Sequence, residues 1–414
     1  MEEKEVKAKD IVKKYNQEQL LTFYNELSEK AKEELLDQIL EIDFEKVNRL
    51  YETTKQELEI KEDKIEPMKY IDKLKLSEEE KERLEKIGAN IISKGEYAVA
   101  TMAGGQGTRL GHHAPKGTYR LIDDKSLYEI FYESLNRANK KYDCVIPWYI
   151  MTSKENNADT LEFFEQNGYF GYPREDVFFF EQNEFPIMDK EGKIFLAEKG
   201  LVKQAADGNG GIFGSMVRSG AVEDMKKRGV KWLFIGAIDN ALLQMVEPLL
   251  VGIAEEENVL AVAKSIVKNS PKEKVGVFCK RNNKPSVIEY TELPEDMANL
   301  RDENGELFYG EAHIMCNMFS VSILNDVGGQ KLPLHKALKK AEYIDLNGEK
   351  IEAKEPNSYK FESFIFDAFE TLDDMRILRG VREEDFAPVK NAEGVDSPAT
   401  ARELYINYYK NRKI

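Results

Sequence analysis

The stretch MAGGQGTRLGHHAPKGTY, residues 102–119, concentrates the residue types that hold a phosphate. Gly104, Gly105, Gly107 and Gly111 let the backbone turn tightly and approach a ligand with no Cβ in the way. Backbone N–H groups in such a turn can point at phosphate oxygens. Arg109 and Lys116 add a planar fork and a compact point charge for the same anion. The residue order excludes the two commonest glycine loops. A dinucleotide fingerprint GxGxxG begun at Gly105 would need glycine where Leu110 stands. A Walker loop needs Gly directly before Lys, whereas Pro115-Lys116-Gly117 has the reverse order. Neither a dehydrogenase nor a P-loop ATPase is expected.

Such a loop needs a strand to deliver it and helices to cover that strand. EYAVATMA, just before it, is a run of small and β-branched residues suited to a buried strand. Strands are also predicted at Val145–Met151, Val177–Phe180, Trp232–Ile238 and Val259–Val267. Between them, helical periodicity falls at Ser126–Lys140, Asp159–Asn167 and Phe213–Arg228. This alternation predicts an α/β sheet with helices on its faces. Val275–Lys280 and Ser286–Thr291 read as an inserted hairpin. Residues 1–95 read as helical, with Leu20, Leu21, Phe23, Tyr24 and Leu27 followed by Leu35, Leu36, Ile39 and Leu40, and they are expected to pack as a support on the main domain. Lys61–Lys75 reads as a connector around Pro67. Ser77 is a good N-cap for a helix that Gly88 could end. Lys336, Lys339 and Lys340 fall on one turn of a predicted helix as a solvated face. Glu362–Leu372 reads as helix, and so does Ala399–Tyr409, capped by Ser397 with Pro398 at its first position.

A chain of 414 residues implies two or three folded units, or one large α/β domain with additions. Its net charge of −16 opposes nucleic acid and anionic membranes, so small anions must be met by local cations. Cys144, Cys279 and Cys316 are far apart with no CxxC pair, so neither disulfides nor a cysteine zinc site is expected. The start MEEKEVKAKD has no signal-peptide pattern, and no apolar run is long enough to span a bilayer. A cytosolic location is expected. His112 and His113 lie inside the glycine loop, and His313 and His335 have no companions at metal-ligand spacing. No histidine is expected to act as catalytic base or ligand; a pH-sensitive phosphate contact by His112 or His113 is the remaining alternative.

GGQGTRLG followed by PKG resembles the signature of the eukaryotic-type UDP-N-acetylhexosamine pyrophosphorylases, within the wider UDP-sugar pyrophosphorylase family. The pattern GGxGTRxG…PK is shared by many sugar nucleotidyltransferases, and Gln106 and Gly117 lean toward the N-acetylhexosamine branch. The similarity runs from about Gln17 to about Leu404. It includes ADGNGG (206–211), AIDN (237–240), EKVGVF (273–278), VIEYTEL (287–293), CNMF (316–319), PNSYKFESFIFDAF (356–369) and REEDFAPVKNAEG (382–394). The resemblance implies a Rossmann-like, GT-A-like nucleotidyltransferase: a mixed sheet flanked by helices, preceded by a helical region. Residues 1–90 would form that region and 91–414 the catalytic domain, ending in a short helix. The family's further C-terminal β domain is expected to be absent, and with it some subunit contacts, so a monomer is expected.

The implied reaction joins UTP to a sugar 1-phosphate. A phosphate oxygen attacks the α-phosphorus of UTP and pyrophosphate leaves. Two unit charges about 4 Å apart at an effective dielectric near 20 repel by about 4 kcal/mol, so the need is for cations more than for a general base. Arg109 and Lys116 would meet the UTP phosphates and the departing pyrophosphate. Asp239, at the end of KWLFIGAID, could hold Mg²⁺; read without the resemblance, it could also cap a following helix. Asn240 follows it, so no two-carboxylate metal site is visible in that segment. The resemblance assigns Lys360 to UTP phosphates and Lys390 to the sugar phosphate. Gln182 offers the donor and acceptor that uracil needs, with the backbone of Met102, Ala103, Gly104, Gly105 and Gly208. Asn209, Glu289, Tyr290 and Asn317 match family positions that contact the sugar. The expected product is UDP-N-acetylglucosamine or UDP-N-acetylgalactosamine. The alternatives are a glucose-1-phosphate or broad-specificity uridylyltransferase, and a non-catalytic sugar-nucleotide sensor, which would lack the cations that are all present here.

Overall fold

The run Tyr97–Met102 is buried at every position, as a strand covered on both faces must be. It lies parallel to Trp148–Thr152 on one side and to Trp232–Ala237 on the other, and Val177–Glu181 extends the parallel set. Beyond Trp232–Ala237 the direction reverses: Glu311–Ser320 is antiparallel to it and to Ala261–Val267, which is in turn parallel to Arg376–Arg379. The computed structural model describes residues 1–55, 63–329 and 332–412. Among these, the sheet has eleven strands and is mixed. Helices flank it, as an α/β nucleotidyltransferase fold requires.

By their contacts the residues fall into two units. One comprises Asp63–Gln182, Ile212–Lys331 and Ile365–Ile414 and holds the large sheet. Its helices begin where the sequence places caps. Ser77 and Ser126 each accept from the N–H three residues on, and Glu80 and Glu129 reach back to close two capping boxes. The hairpin Val277–Arg281 and Lys284–Ile288 turns on Asn282 and Asn283, whose φ values of 52° and 68° make the two-residue turn that suits twisted strands. The final helix, Pro398–Arg412, is capped by the Ser397 hydroxyl.

Gly88 does not end its helix. Glu78–Ser93 runs five residues past it, and Gly88 is buried at a crossing with Pro248–Glu256. A Cβ on Gly88 would lie 1.9 Å from the Pro248 carbonyl oxygen, and one on Gly252 would lie 2.0 Å from that of Leu84. The two backbones touch at both glycines, so close packing outweighs glycine's poor helix propensity. Three other expectations change. The 61–75 connector contains two short strands of the sheet, Ile65–Pro67 and Ile71–Asp72; its first two residues lie outside the described ones. The 213–228 helix is broken at Gly220, φ 80°, into Gly211–Ser219 and Ala221–Arg228. The predicted 362–372 helix begins only at Ile365 and is a 3₁₀ helix ending at Thr371.

The second unit comprises Met1–Glu62, Asn183–Gly211 and Leu332–Phe364. Leu20, Phe23, Leu35, Leu36, Ile39 and Phe44 form one core with Phe185, Met188, Leu196, Val202 and Phe361. The buried Gln17 amide fixes this arrangement, donating to Gly192 O at 2.8 Å and accepting from Ile194 N–H at 2.9 Å. Leu20–Leu27 forms two 3₁₀ turns here, and Glu29–Glu41 a regular α-helix. Lys336 and Lys339 are exposed as expected, but on a strand: His335–Lys339 pairs with Ser358–Glu362, and that pairing overrides the helical spacing of the lysines. No helix among the described residues is long and apolar enough to cross a membrane.

The crossing makes a direct prediction. Gly88→Ala and Gly252→Ala should each lower stability by about 1–3 kcal/mol through overpacking, although alanine is the better helix former by about 1 kcal/mol. Denaturant midpoints measure this, and a variant more stable than the parent would mean that the helices do not touch there.

Candidate active site

Four parallel strands end in register on one edge of the sheet, with Met102 opposite Met151 and Ala237, and Thr152 opposite Glu181. The glycine loop, Gln182 and Asp239 follow directly at that edge. The loop is closed on itself: Gly107 N–H donates to Ala114 O at 3.0 Å, His112 N–H to Gly107 O at 3.1 Å, and Lys116 N–H to Gly105 O at 3.0 Å. Thr118 gives its hydroxyl proton to Pro115 O at 2.8 Å, so His112 Nε2, 2.8 Å from that hydroxyl, is the donor there. Burial holds the His112 imidazole below its ordinary pKa. His112 is therefore a neutral strut within the loop, while His113 is exposed. Arg109 is exposed and Lys116 half-buried, and neither forms an ion pair among the described residues.

Gln182 is buried, and its backbone N–H donates to Thr152 O at 2.7 Å. Its Oε1 would lie 2.8 Å from a Cβ on Gly104. The amide expected to read a base and the glycine expected to approach it are thus in contact.

Asp239 and Lys390, far apart in sequence, come together through Asn240. This buried amide donates from Nδ2 to Asp385 O at 2.7 Å, and its Oδ1 accepts from Ala387 N–H at 2.8 Å and Leu242 N–H at 3.2 Å. Val389 N–H then donates to Asp239 O at 2.7 Å, next to Lys390. Asp385 is held by Lys264, fully buried on Ala261–Val267, which also pairs with Glu247; Lys73 reaches Glu247 at 2.9 Å. Burial alone would push the Glu247 carboxyl up, but the Lys264 and Lys73 ammonium groups outweigh it and hold that carboxyl well below the usual range. Past Lys390 the chain turns back at Asp396, whose carbonyl accepts from Lys390 N–H at 2.7 Å. Burial raises the Asp396 carboxyl above its usual range; Lys390 pulls it down, and Glu273 and Asp239 push it up. Asn240 and Asp396 were not expected to contribute. Asn240 stands out in the sequence only as the place where a second aspartate is missing, and Asp396 lies in no charged pattern.

Glu289 and Tyr290 fall just after the strand Lys284–Ile288, in a turn. Glu289 is half-buried, with its Oε1 3.3 Å from where a Cβ on Gly276 would be, and Tyr290 is exposed. Asn317 is fully buried on Glu311–Ser320, opposite Ile235 and Ala263.

The other unit carries Gly208, Asn209 and Lys360. Gly208 has φ +92°, and a Cβ there would lie 2.1 Å from Ser363 O, so the 206–211 turn packs directly on the 362–364 segment. Ser363 N–H and Gly210 N–H seal that contact at 2.7 and 3.0 Å. Lys360 pairs with Glu362 at 2.8 Å on the strand leading into it.

A mixed sheet whose glycine loop and acid share one edge defines the nucleotidyltransferase fold. Residues 41–397 match the family described as UTP–glucose-1-phosphate uridylyltransferase, and the chain belongs to that family. It is 35% identical to a probable UDP-N-acetylglucosamine pyrophosphorylase of Dictyostelium discoideum, over 95% of this chain and 85% of that protein. It is 37% identical to the UDP-N-acetylglucosamine pyrophosphorylase of Saccharomyces cerevisiae, over 78% of this chain and 70% of that protein. The Trypanosoma brucei uridine diphosphate N-acetylglucosamine pyrophosphorylase, solved with an inhibitor, superposes with a TM-score of 0.84 at 29% identity, over 99% of this chain and 86% of that one.

The buried ion cluster predicts a pH signature. Glu247 has a depressed folded pKa, so its stabilising contribution is complete above the ordinary carboxylate pKa near 4.3 and fades as pH falls below it. Lys264→Met should cost about 3–5 kcal/mol at pH 7 by stranding buried carboxylates. With burial less opposed, the Glu247 carboxyl moves up, so the deficit should shrink as pH is lowered from 7 toward 4. Chemical denaturation across that range measures it, and a deficit independent of pH would contradict the charge assignment.

Proposed function

We propose that this chain is a uridylyltransferase that joins UTP to an N-acetylhexosamine 1-phosphate, forming UDP-N-acetylglucosamine or UDP-N-acetylgalactosamine and releasing pyrophosphate. The observation that carries the reading is the closed glycine loop, which presents Arg109 and Lys116 with no counter-ion among the described residues on the strand edge where Gln182 and Asp239 also emerge. The similarity to proteins named UDP-N-acetylglucosamine pyrophosphorylases supports the sugar assignment.

The nucleophile is a phosphate oxygen already ionised near neutral pH, since the second phosphate pKa is about 6. The task left to the protein is to align two polyanions and neutralise the charge that collects on the departing pyrophosphate. Arg109 and Lys116 take the UTP phosphates, with Lys360, and Lys390 takes the sugar phosphate. Gln182 and the backbone of Met102–Gly105 and Gly208 read uracil; Asn209, Glu289, Tyr290 and Asn317 read the sugar.

Asp239 is the residue that would hold Mg²⁺. It is half-buried, and its negative charge, with that of Glu273, pushes the Asp396 carboxyl up against the pull of Lys390 and Arg382, so acidic charge gathers here. A divalent cation fits that surplus, and one carboxylate is enough for an ion that keeps its waters and shares substrate phosphates. When bound there, Mg²⁺ would supply positive charge that neutralises the phosphates.

The test is pyrophosphate release from UTP and Mg²⁺ with N-acetylglucosamine, N-acetylgalactosamine and glucose 1-phosphates. One of the two N-acetylated sugars should be preferred. Preference for glucose 1-phosphate would overturn the sugar assignment, and UTP binding without pyrophosphate release would favour the sensor reading. Lys116→Ala should lower kcat by about 100-fold with folding intact, because its ammonium pairs with no protein carboxylate among the described residues. An unchanged kcat would remove Lys116 from the mechanism.

A further inference from the structure

His313 and Asn317 stand four residues apart on one strand, where regular geometry would separate them by about 13 Å. Their side chains instead meet, with His313 Nε2 2.9 Å from Asn317 Oδ1. The strand itself explains this. Asn317 pairs with Ala263 and His313 with Ser265, so four steps on one strand match two on the other. Two extra residues are accommodated between them, and Met315 takes φ +58°, a left-handed conformation rare for a long side chain. Bulges of this kind gather beside functional sites, where they re-aim a side chain.

The pair is enclosed. The His313 ring lies edge-on to Phe278, Phe366 and Phe369 at centroid distances of 5.2, 5.9 and 6.0 Å, and the residue's backbone N–H donates to Gly276 O at 2.9 Å. Burial among these rings pushes the imidazole pKa down to about 4, with the bond to Asn317 pulling the other way. The ring is therefore neutral at pH 7. Asn317 Oδ1 can only accept, so Nε2 carries the ring's single proton. That proton in turn holds the carboxamide with its oxygen toward the ring. Its Nδ2, on a side chain with no exposed surface, has no hydrogen-bond partner among the described residues. A buried N–H₂ left open is costly unless something absent from the free chain accepts from it. Asn317 shares its sheet face with Ile235, and Ile235 lies on the strand that leads to Asp239.

We propose that His313 is a positioning residue for sugar recognition: its Nε2–H locks the Asn317 carboxamide so that Nδ2 donates to an acceptor oxygen of the sugar 1-phosphate. The inference builds on the assignment of Asn317 to the sugar. It adds a donor imposed by a bulge and by an aromatic cage, neither of which is visible in residue spacing. Loss of the lock lets the carboxamide rotate and offer oxygen where a donor is needed.

The test compares His313→Phe, Asn317→Ala and the double variant in steady-state kinetics with the sugar 1-phosphate varied and UTP saturating, and then the converse. His313→Phe should raise KM for the sugar 1-phosphate about tenfold and leave KM for UTP unchanged. His313→Gln, which keeps an N–H donor, should recover part of the loss. In the Asn317→Ala background, His313→Phe should add no further change in KM. If Asn317→Ala itself leaves the sugar KM unchanged, the assignment of Asn317 to the sugar fails. If Asn317→Ala raises it while His313→Phe does not, or if His313→Phe adds its full effect in the double variant, the lock fails alone. A measurement on the parent protein covers the case where His313→Phe does not fold: ¹⁵N-histidine spectra at pH 7 should show His313 as the neutral Nε2–H tautomer with and without sugar phosphate. An Nδ1–H tautomer would overturn the proposal.

Discussion

A single buried carboxamide, that of Asn240, ties the end of a core strand to the segment that carries Lys390. Its three hydrogen bonds reach Asp385 O, Ala387 N–H and Leu242 N–H. An amide with an acceptor and two donors can bridge two backbone segments at a fixed spacing, which a carboxylate could not do without a stranded charge. One residue before it stands Asp239, and its carbonyl takes the next bond in the same ladder, from Val389. The distance between the acid and the lysine is thus set by the backbone. Beneath this joint, Lys264 holds Asp385 and Glu247 with no exposed surface of its own. Such a cluster adds little net stability over a well-packed apolar one, but it tolerates few alternative arrangements, and removing any member leaves a buried charge.

The joint matters because the chain is strongly acidic overall, with 76 acidic against 60 basic residues. A global field of that sign opposes every phosphate that approaches. Binding anions then depends on cations held locally, above all on those in no ion pair among the described residues; Lys360 would have to exchange Glu362 for phosphate. Arg109 and Lys116 meet that condition on a loop stiffened by its own backbone bonds and by the His112–Thr118–Pro115 chain. Lys390 meets it on the far side of the Asn240 joint, with its ammonium 5.6 Å over the Phe386 ring and Asp396 as its electrostatic neighbour.

What could be read from the residues was what is encoded locally. The glycine loop is contiguous, so the expectation that it holds phosphate needs only one stretch of sequence. Caps at Ser77 and Ser397 and the strands of the parallel set are visible for the same reason. What escaped was decided by partners distant in sequence. Gly88 looks like a helix end until the Pro248 backbone occupies the space beside it. The lysines at 336, 339 and 340 have helical spacing, and pairing with Ser358–Glu362 overrides it. The N-terminal helices find their core on residues 183–211 and 332–364, which no composition boundary announces. His313 has no companion at metal-ligand spacing, so spacing alone assigns it no role. Its partner lies four residues away, at a spacing that means contact on a helix and separation on a regular strand, and only the bulge at Met315 brings them together.

The dependence of pyrophosphate release on Mg²⁺ concentration in Asn240→Ala, compared with the parent at a temperature where circular dichroism shows both folded, probes the joint most directly. If the Asn240 amide sets the relation between Asp239 and Lys390, the variant needs more Mg²⁺ for half-maximal activity and turns over more slowly, while UTP binding without Mg²⁺ is unchanged. A folded variant with the parent's Mg²⁺ requirement and turnover would contradict that account.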